Sequence, residues 1–274
     1  MSTGAPVFQS FTSGSCGNCS FLGLKSPEGE VSGILIDAGA SPRTVKGVMV
    51  SAGLSLDCIK AIIITHDHYD HIRSLGSFCK KLAVPVFATW QLHAVFSVHP
   101  FTREWVARCR RVIIPGEWTE VAPGIEVLCF EVPHDATQTV SYAIRAGEHR
   151  MVFMTDLGEF TPECLSFASR AHTVVIESNF DVDMLLGGDY PYELKMRIIK
   201  GFGHLSNDAC ACAVKAFWHE GLRNLFLCHL SGNNNTPAKA LECTGAALGE
   251  CGVAPGTVNL RILPRAVPTP LLYL

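Results

Sequence analysis

The chain has 274 residues, of which 48% are hydrophobic and 17% are charged, and its formal net charge at pH 7 is −3. This length can bury a large core, but the charge excludes a global basic field of the kind that binds nucleic acid nonspecifically. Residues 1–10 lack the basic and apolar regions of a signal peptide, and no apolar run approaches the roughly 18 residues of a membrane span. We therefore expect a soluble, cytoplasmic protein.

Twelve cysteines are irregularly spaced along the chain, and several lie within or beside apolar segments. Free cysteine in such positions behaves as a small hydrophobic residue, which favours a reducing compartment. The C-x-x-C pair formed by Cys16 and Cys19 lacks the second pair that a structural zinc site requires, so redox or metal binding there is a weak interpretation.

The first predicted elements are two strands, near 7–11 and 20–24, joined by the small-residue turn 13–18. The glycines of this turn permit positive φ and expose backbone N–H groups. Residues 33–39 are typical of a buried strand that ends at Asp37, and Ser41 followed by a proline marks the start of a helix. Asp37 has two open interpretations: it orients a metal-binding histidine, or it caps the loop after the strand.

The segment Thr65–His71 places three histidines and two aspartates directly after the apolar run 61–64. Imidazole and carboxylate ligands suit a divalent ion such as Zn, Mn or Fe(II), and a short loop at a strand end can wrap such an ion. The alternative, a solvated polar turn, does not account for histidines at positions 66, 68 and 71. The segment therefore predicts a metal site, followed by a helix from Asp70 to about Leu82.

The remainder of the chain alternates predicted strands and helices without a linker, which predicts one α/β domain spanning residues 1–274. His134, Asp156 and His229 each follow an apolar, strand-like run, and functional sites commonly form where strands end. We expect strands near 84–89, 111–115, 125–132, 140–146, 150–155, 173–177, 224–228 and 258–263, and helices near 161–170, 193–200, 206–220 and 236–250.

His204 lies just before a predicted helix start, where free backbone N–H groups and the positive end of the helix dipole favour an anion such as phosphate. A histidine there can bind a phosphoryl oxygen or protonate a leaving alkoxide. The alternative is a surface histidine near a helix cap. Just upstream, Lys195, Arg197 and Lys200 either follow a nucleic acid backbone or form a solvated helix face.

The HxHxDH pattern of His66, His68, Asp70 and His71 resembles the metallo-β-lactamase superfamily, whose fold is a four-layer αββα sandwich with a two-metal hydrolytic site. The segments 13–18 and 203–207, the strand 34–39 and the block that begins at His229 resemble the branch of this superfamily called YycJ, WalJ or VicX. Members of that branch are regarded as DNA-processing exonucleases. This chain departs from them at Asp67 and Tyr69, where Glu and Ser are more usual, and at Cys16, which replaces Ser.

This resemblance implies two divalent metal ions, which could be Zn, Mn or Fe. One ion would be bound by three histidines and the other by an aspartate and two histidines, while Asp156 would bridge both ions. The implied ligands are His66, His68 and His134 for the first ion, and Asp70, His71 and His229 for the second.

The reaction predicted on this basis is hydrolysis of a phosphodiester by a hydroxide that both metals activate. Asp70 and Asp156 would position the nucleophile, and His204 would act on the scissile phosphate or the leaving group. DNA is favoured over RNA, because the chain lacks the long arm of the tRNA-maturing branch and the inserted domain of the CPSF-type nucleases. The predicted phosphate contacts are Ser13, Gly14, Ser15, Gly17, Asn18, Ser206 and Asn207.

Two alternatives belong to other functional classes. An acyl hydrolase on the same fold, such as a thioesterase or lactonase, would need an oxyanion stabiliser and an apolar acyl pocket, whereas a phosphodiesterase needs a second anion subsite. A noncatalytic regulatory protein could keep metals for structure alone. Seven candidate ligands, three more than a closed structural zinc site requires, argue against that possibility.

Overall fold

The computed structural model describes residues 4–199 and 203–274. In this part of the chain the first of two seven-stranded sheets has the order β14-β1-β2-β3-β4-β5-β6. Neighbouring strands are antiparallel from β14 to β3 and parallel from β3 to β6. The strands of this sheet are β1 (Ala5–Gly14), β2 (Gly17–Lys25), β3 (Val31–Ile36), β4 (Ile59–Ile63), β5 (Val86–Ala88), β6 (Arg110–Val112) and β14 (Leu272–Tyr273).

The second sheet has the order β13-β12-β11-β10-β9-β8-β7 and repeats the same plan. Its strands are antiparallel from β7 to β10 and parallel from β10 to β13. They are β7 (Thr119–Ala122), β8 (Ile125–Glu131), β9 (Val140–Ala146), β10 (His149–Met154), β11 (Thr173–Glu177), β12 (Asn224–Cys228) and β13 (Asn259–Ile262).

Helices follow the strands in both halves, and several begin at a side-chain cap that the sequence makes recognisable. Ser41, Thr161, Ser206 and Thr236 each accept a hydrogen bond from a backbone N–H of the first helical turn. The helices are α1 (Pro42–Ser51), α2 (Tyr69–Ile72), α3 (Leu75–Leu82), α4 (Trp90–Val98), α5 (Val106–Cys109), α6 (Pro162–Ala168), α7 (Val182–Gly187), α8 (Tyr192–Arg197), α9 (Asn207–Phe217) and α10 (Pro237–Glu250), with a short 3-10 helix at Leu56–Cys58.

Each sheet packs against helices on one face and against the other sheet on its second face, because successive side chains of a strand point to opposite faces. In β4, Ile62 packs toward helices α1, α3 and α4, and Ile63 packs into the core between the two sheets. In β12, Leu225 faces α9 and α10, while Phe226 faces the same central core. The molecule is thus an αββα sandwich, which confirms the predicted fold class. Among the described residues, no helix is long and apolar enough to cross a bilayer.

Two predicted elements differ from the observed ones, and several observed elements, among them α4, α5, α7, β7 and β14, were not predicted. Most of the predicted turn 13–18 belongs to strands β1 and β2, so Ser15 and Cys16 alone form the connection. The predicted helix 70–82 is split into α2 and α3, because the backbone N–H of Ser74 donates to the carbonyl of Ala38, outside the helix, at 3.0 Å. Helix α4 was not predicted, since its apolar residues are spread around the helix and not confined to one stripe.

The carboxyl ends of six strands meet along one edge of the sandwich, and the candidate ligands follow these ends. Parallel strands end on the same side of a sheet, and β8 runs in the direction of β10 because both are antiparallel to β9. The residues at these ends are Asp37 after β3, Thr65–His71 after β4, His134 after β8, Asp156 after β10, Glu177 at the end of β11 and His229 after β12.

Candidate metal centre

The seven candidate ligands come together in one cluster at this edge. Among the described residues, four overlapping groups have potential ligand atoms that all lie within 4.8 Å of one another. The groups are His66, His68 and His134; Asp70, His71 and His229; His66, His71 and Asp156; and Asp156, Glu177, His204 and His229. The first two groups match the two ligand sets that the sequence implied.

Asp156 lies between the two sets and contacts both of them. Its Oδ2 is 3.1 Å from Nε2 of His71. Its Oδ1 is 3.8 Å from Nε2 of His134 and 3.6 Å from Nε2 of His229. The Asp156 carboxylate thus lies close to ligands of both sets, so the geometry is compatible with a carboxylate shared between two ions.

Backbone strain is concentrated at this site. Asp37, Asp156 and His229, which follow three parallel strands, have φ values of 61°, 52° and 53°. Positive φ is uncommon for residues other than glycine, and such strain persists only where the surrounding structure holds it, commonly at functional sites. The strained backbone turns each side chain from the strand end into the cluster.

Asp37 is hydrogen-bonded to residues of the metal-binding segment Thr65–His71. Its Oδ2 lies 2.8 Å from Nδ1 of His71, and its carboxylate accepts hydrogen bonds from the backbone N–H and the hydroxyl of Thr65. The Thr65 hydroxyl is also 3.0 Å from Nδ1 of His66. Of the two interpretations left open for Asp37, these contacts favour the orientation of metal-binding histidines.

The ionisable groups of the cluster strongly perturb one another. Burial opposes the charge of His71, but the carboxylates of Asp37 and Asp156 raise its pKa well above the usual value. Burial likewise opposes the charge of His229, yet Asp156, Asp70 and Glu177 raise its pKa to about 10. The buried carboxylates thus favour positive charge on these two histidines. A divalent cation bound by the neutral rings would offset the same carboxylate charge.

Two ring nitrogens indicate directly that the cluster fits a cation. Nε2 of His66 and Nε2 of His229 are buried and have no hydrogen-bond partner among the described residues. Burial, followed by repulsion from His71, also holds the pKa of His66 well below its usual value, so this ring remains neutral. For the neutral ring of His66, a buried nitrogen without a partner costs free energy, and metal coordination would remove that cost. The donor set therefore fits a divalent metal ion.

Glu177 is the residue of this cluster that the sequence interpretation missed. Its fully buried carboxylate lies 2.8 Å from Nδ1 of His204 and 3.1 Å from Nδ1 of His229. It also accepts hydrogen bonds from the backbone N–H groups of Leu157 and Leu205. The signal that could have found it is the one used for Asp156 and His229, namely a polar residue at the end of an apolar strand.

His204 stands at the mouth of the cluster, and its Nδ1 is 3.7 Å from Oδ1 of Asp156. Burial opposes its protonation, but Glu177 raises its pKa above the usual value. The interaction with His204 and then His229 lowers the pKa of Glu177 to about 2 despite its burial. Because Nδ1 faces Glu177, Nε2 is the nitrogen left to meet a substrate.

The expected phosphate-binding residues have mostly internal contacts. The Ser13 hydroxyl accepts a hydrogen bond from the backbone N–H of His229, and the amide of Asn18 donates to Oδ2 of Asp70. The Ser206 hydroxyl caps α9, and Asn207 is buried against other polar side chains. Gly14 and Gly17 are also buried, whereas Ser15 is exposed.

A cavity of about 280 Å³ opens beside His204 and His229. Its other walls include the polar Ser15 and Ser231 and an apolar side formed by Phe180, Leu185, Leu194, Ile198 and Leu230. Of the basic residues upstream, Arg197 forms an ion pair with Asp135. Lys195 donates to the carbonyls of Leu186 and Gly188. Lys200 lies outside the described residues.

Comparison with known proteins identifies the family. Residues 33–230 match the family described as the beta-lactamase superfamily domain, and this segment contains His66 through His229. The chain belongs to this superfamily. The resemblance inferred from the HxHxDH pattern is thereby confirmed.

Two curated relatives extend the match beyond that segment. The chain is 29% identical to exodeoxyribonuclease YycJ of Bacillus anthracis over 97% of its own length and 98% of that protein. It is 28% identical to exodeoxyribonuclease WalJ of Streptococcus pneumoniae strain D39, with 81% of each chain covered. Among solved structures, Zn(2+)-bound PqqB from Methylobacterium extorquens has a TM-score of 0.70 at 18% identity, covering 96% of this chain and 99% of that one. This last likeness concerns the fold.

Proposed function

We propose that this protein is a metal-dependent phosphodiesterase that cleaves DNA as an exonuclease. The observation that carries the proposal is the position of Asp156, which contacts His71, His134 and His229 and so joins two ligand sets in one cluster. The curated relatives named exodeoxyribonuclease, which match most of the chain, support DNA as the substrate. Because both sheets contribute ligands, residues 1–274 would form one catalytic domain.

Two divalent ions would be held in this cluster, with Asp156 shared between them. When bound, such ions lower the pKa of water and neutralise charge on a phosphoryl group. Nitrogen and oxygen ligands suit Zn, Mn and Fe alike, and the affinity order favours Zn among these three. The proposed ligands are His66, His68 and His134 for one ion, and Asp70, His71 and His229 for the other.

The other residues of the site would bind and protonate the substrate. His204, whose protonated form is stabilised by Glu177 at 2.8 Å, would donate a proton from Nε2 to the leaving oxygen. Asp70, whose Oδ2 is oriented by the Asn18 amide at 2.9 Å, would position the attacking water together with Asp156. Of the expected phosphate contacts, Ser15 is exposed at the cavity, while Ser13 and Asn18 would act through the groups that they orient.

An acyl hydrolase remains the second candidate, because one wall of the cavity is apolar. Phe180, Leu185 and Leu230 form a surface against which an acyl chain could pack. The Glu177–His204 pair favours the phosphodiesterase, since a protonated histidine beside the ligands suits an anionic substrate with a poor leaving group.

A substrate screen tests the proposal. The metal-reconstituted protein should release nucleotides from single- or double-stranded DNA faster than it cleaves RNA, a cyclic nucleotide or a thioester. An Asp156→Asn variant purified in parallel measures contaminating nuclease, and it should be inactive. Turnover of the thioester without cleavage of any phosphodiester would replace the proposal with the acyl hydrolase.

A further inference from the structure

Two exposed aromatic side chains are in contact next to the metal-binding motif. Tyr69 is 53% exposed and Phe101 is 50% exposed, although they are far apart in sequence. Their ring centroids are 5.1 Å apart, with an angle of 57° between the ring planes. The ring of His99 extends this group, with its centroid 5.6 Å from that of Phe101. Single exposed aromatic residues are ordinary, but an exposed aromatic cluster beside a site is typical of a binding surface.

The backbone around Phe101 is firmly held, so its exposure does not result from a loose loop. The buried Thr102 hydroxyl donates to the carbonyl of Phe96 at 2.7 Å, and the Thr102 N–H donates to the carbonyl of His99 at 3.1 Å. The Phe101 carbonyl also packs so closely against Gly76 of α3 that a side chain there would collide with it. These contacts hold the backbone of Phe101 in place, and its ring is half exposed to solvent.

Tyr69 places this surface at the metal centre. It lies between His68 and Asp70, two of the candidate ligands. Because consecutive Cα atoms are about 3.8 Å apart, its ring lies within about 12 Å of the Asp70 carboxylate. A nucleotide next to the scissile phosphate spans a distance of this order, so its base can reach the surface.

We propose that Tyr69 and Phe101 form a stacking surface for an unpaired terminal base of the DNA strand whose scissile phosphate lies at the metal centre. This inference rests on the proposed phosphodiesterase function. Base stacking on aromatic rings tolerates any base and changes affinity by a factor of roughly 5 to 150 per base, equivalent to about 1–3 kcal/mol. A chain with a net charge of −3 has no global basic field, and stacking supplies affinity that salt does not screen.

The surface fits the end of a DNA strand. In a duplex interior both faces of each base are covered by neighbouring base pairs, whereas the terminal base at an end has a free face that can stack on Tyr69. The exposed Arg103, two residues after Phe101, can meet a neighbouring phosphate.

The test is a double-mutant cycle between protein and DNA. One substrate is a single-stranded oligonucleotide, and the other has abasic residues at the terminal positions. Phe101→Ala should raise KM on the intact oligonucleotide by roughly 5- to 150-fold and leave KM on the abasic one nearly unchanged. Tyr69→Ser should also raise KM on the intact oligonucleotide. Phe101→Trp keeps an aromatic ring and should therefore have a KM close to that of the wild type. Tyr273→Ala, at an aromatic residue that is 62% exposed on the edge strand β14, is the matched control and should behave as the wild type.

Different results would contradict the stacking surface and the proposed phosphodiesterase function. If the wild type cleaves DNA but Phe101→Ala has an unchanged KM on the intact oligonucleotide, the stacking surface is wrong and the phosphodiesterase stands. An equal loss on intact and abasic substrates also overturns it, because that pattern indicates a general disturbance of the site. If the wild type cleaves no nucleic acid at all, the proposed function and the stacking surface both fail. Metal content and melting temperature, measured for each variant, establish that it is folded.

Discussion

The buried carboxylate of Glu177 lies 2.8 Å from Nδ1 of His204, whose side chain is 26% exposed. This contact joins a fully buried acid on strand β11 to a histidine at the mouth of the metal centre. It fixes the ring orientation and stabilises the protonated form, because the negative charge of Glu177 raises the pKa of His204 against the effect of burial. Glu177 is thus a positioning residue that acts through His204 and also through His229, whose Nδ1 lies 3.1 Å from its carboxylate.

Replacing Glu177 by Gln should remove the charge that keeps His204 protonated. We expect kcat on DNA to fall by roughly 10²-fold, at the lower end of the range for acid–base catalysis, with little change in KM. The limb of the pH–rate profile that reports the acid should move to lower pH. Glu163→Gln, at an exposed position of α6, is the control. If Glu177→Gln has a normal kcat and an unchanged pH profile, Glu177 does not contribute to the reaction.

His204→Ala should retain the metal ions and the fold but lose roughly 10²–10⁴ in rate, the range for a general acid. A p-nitrophenyl phosphodiester has a leaving group that needs little protonation, so the deficit should shrink on that substrate. If the deficit persists there, His204 binds the anion without protonating it. Loss of a metal ion in this variant would instead make His204 a ligand, as its place in a group with Asp156 and His229 permits.

The number of ions can be tested through Asp156. Metal analysis of the wild type should return two ions per chain, and Asp156→Ala should return fewer, because both ligand sets lose a shared carboxylate. His134→Ala should mainly empty the first site and His229→Ala the second. His93→Gln changes a buried histidine outside the cluster and should keep both ions. Two tightly bound ions in Asp156→Ala would contradict the claim that both ions share Asp156.

Gly39→Ala should disrupt the site from a position that carries no ligand. A Cβ atom at Gly39 would collide with the carbonyl oxygen of Asp70 and would lie 2.5 Å from the backbone nitrogen of Asn18. Helix α2 would have to move, and its ligands Asp70 and His71 would move with it. We expect loss of metal and of most activity. Gly47→Ala in α1 has no atom within 4 Å and should be neutral or stabilising by up to about 1 kcal/mol, because alanine favours the helix.

The buried His149 should make stability depend on pH. Burial, followed by the charges of His172 and Arg223, lowers its pKa to about 4, whereas an unfolded histidine titrates near 6.5. Because the folded pKa is the lower one, its contribution to stability is complete above about pH 6.5 and is lost as the pH falls toward 4, by on the order of 1–3 kcal/mol.

His149→Gln keeps a donor for the Thr173 hydroxyl, which lies 3.0 Å from the His149 ring, and removes the titration. In urea unfolding at several pH values, the wild type should therefore lose more stability on acidification than this variant. The comparison cancels the pH response of the metal centre, which both proteins share. Parallel stability curves for the two proteins would contradict the assignment.

The sequence by itself determined the superfamily and the layer architecture. Apolar runs of strand length that end in His or Asp are local signals, since the residues that build a strand and the ligand that follows it are adjacent in the chain. The motif at Thr65–His71 and the strand-end residues Asp156 and His229 were recognisable for this reason. Helix caps such as Ser41 and Ser206 were equally local, because the capping residue and the N–H groups that it satisfies are three residues apart.

Only the tertiary structure decided which groups act on one another. Glu177 looks like the end of any buried strand until strand pairing brings it within 2.8 Å of His204, a residue 27 positions away. Tyr69 and Phe101 meet through a loop whose path depends on the contact between Gly76 and the backbone of Phe101. The break between α2 and α3 arises from a hydrogen bond between Ser74 and Ala38, which lie on different elements. These contacts join chain segments that are distant in sequence. Residue types and local spacing do not show which distant segments lie close together in the folded protein.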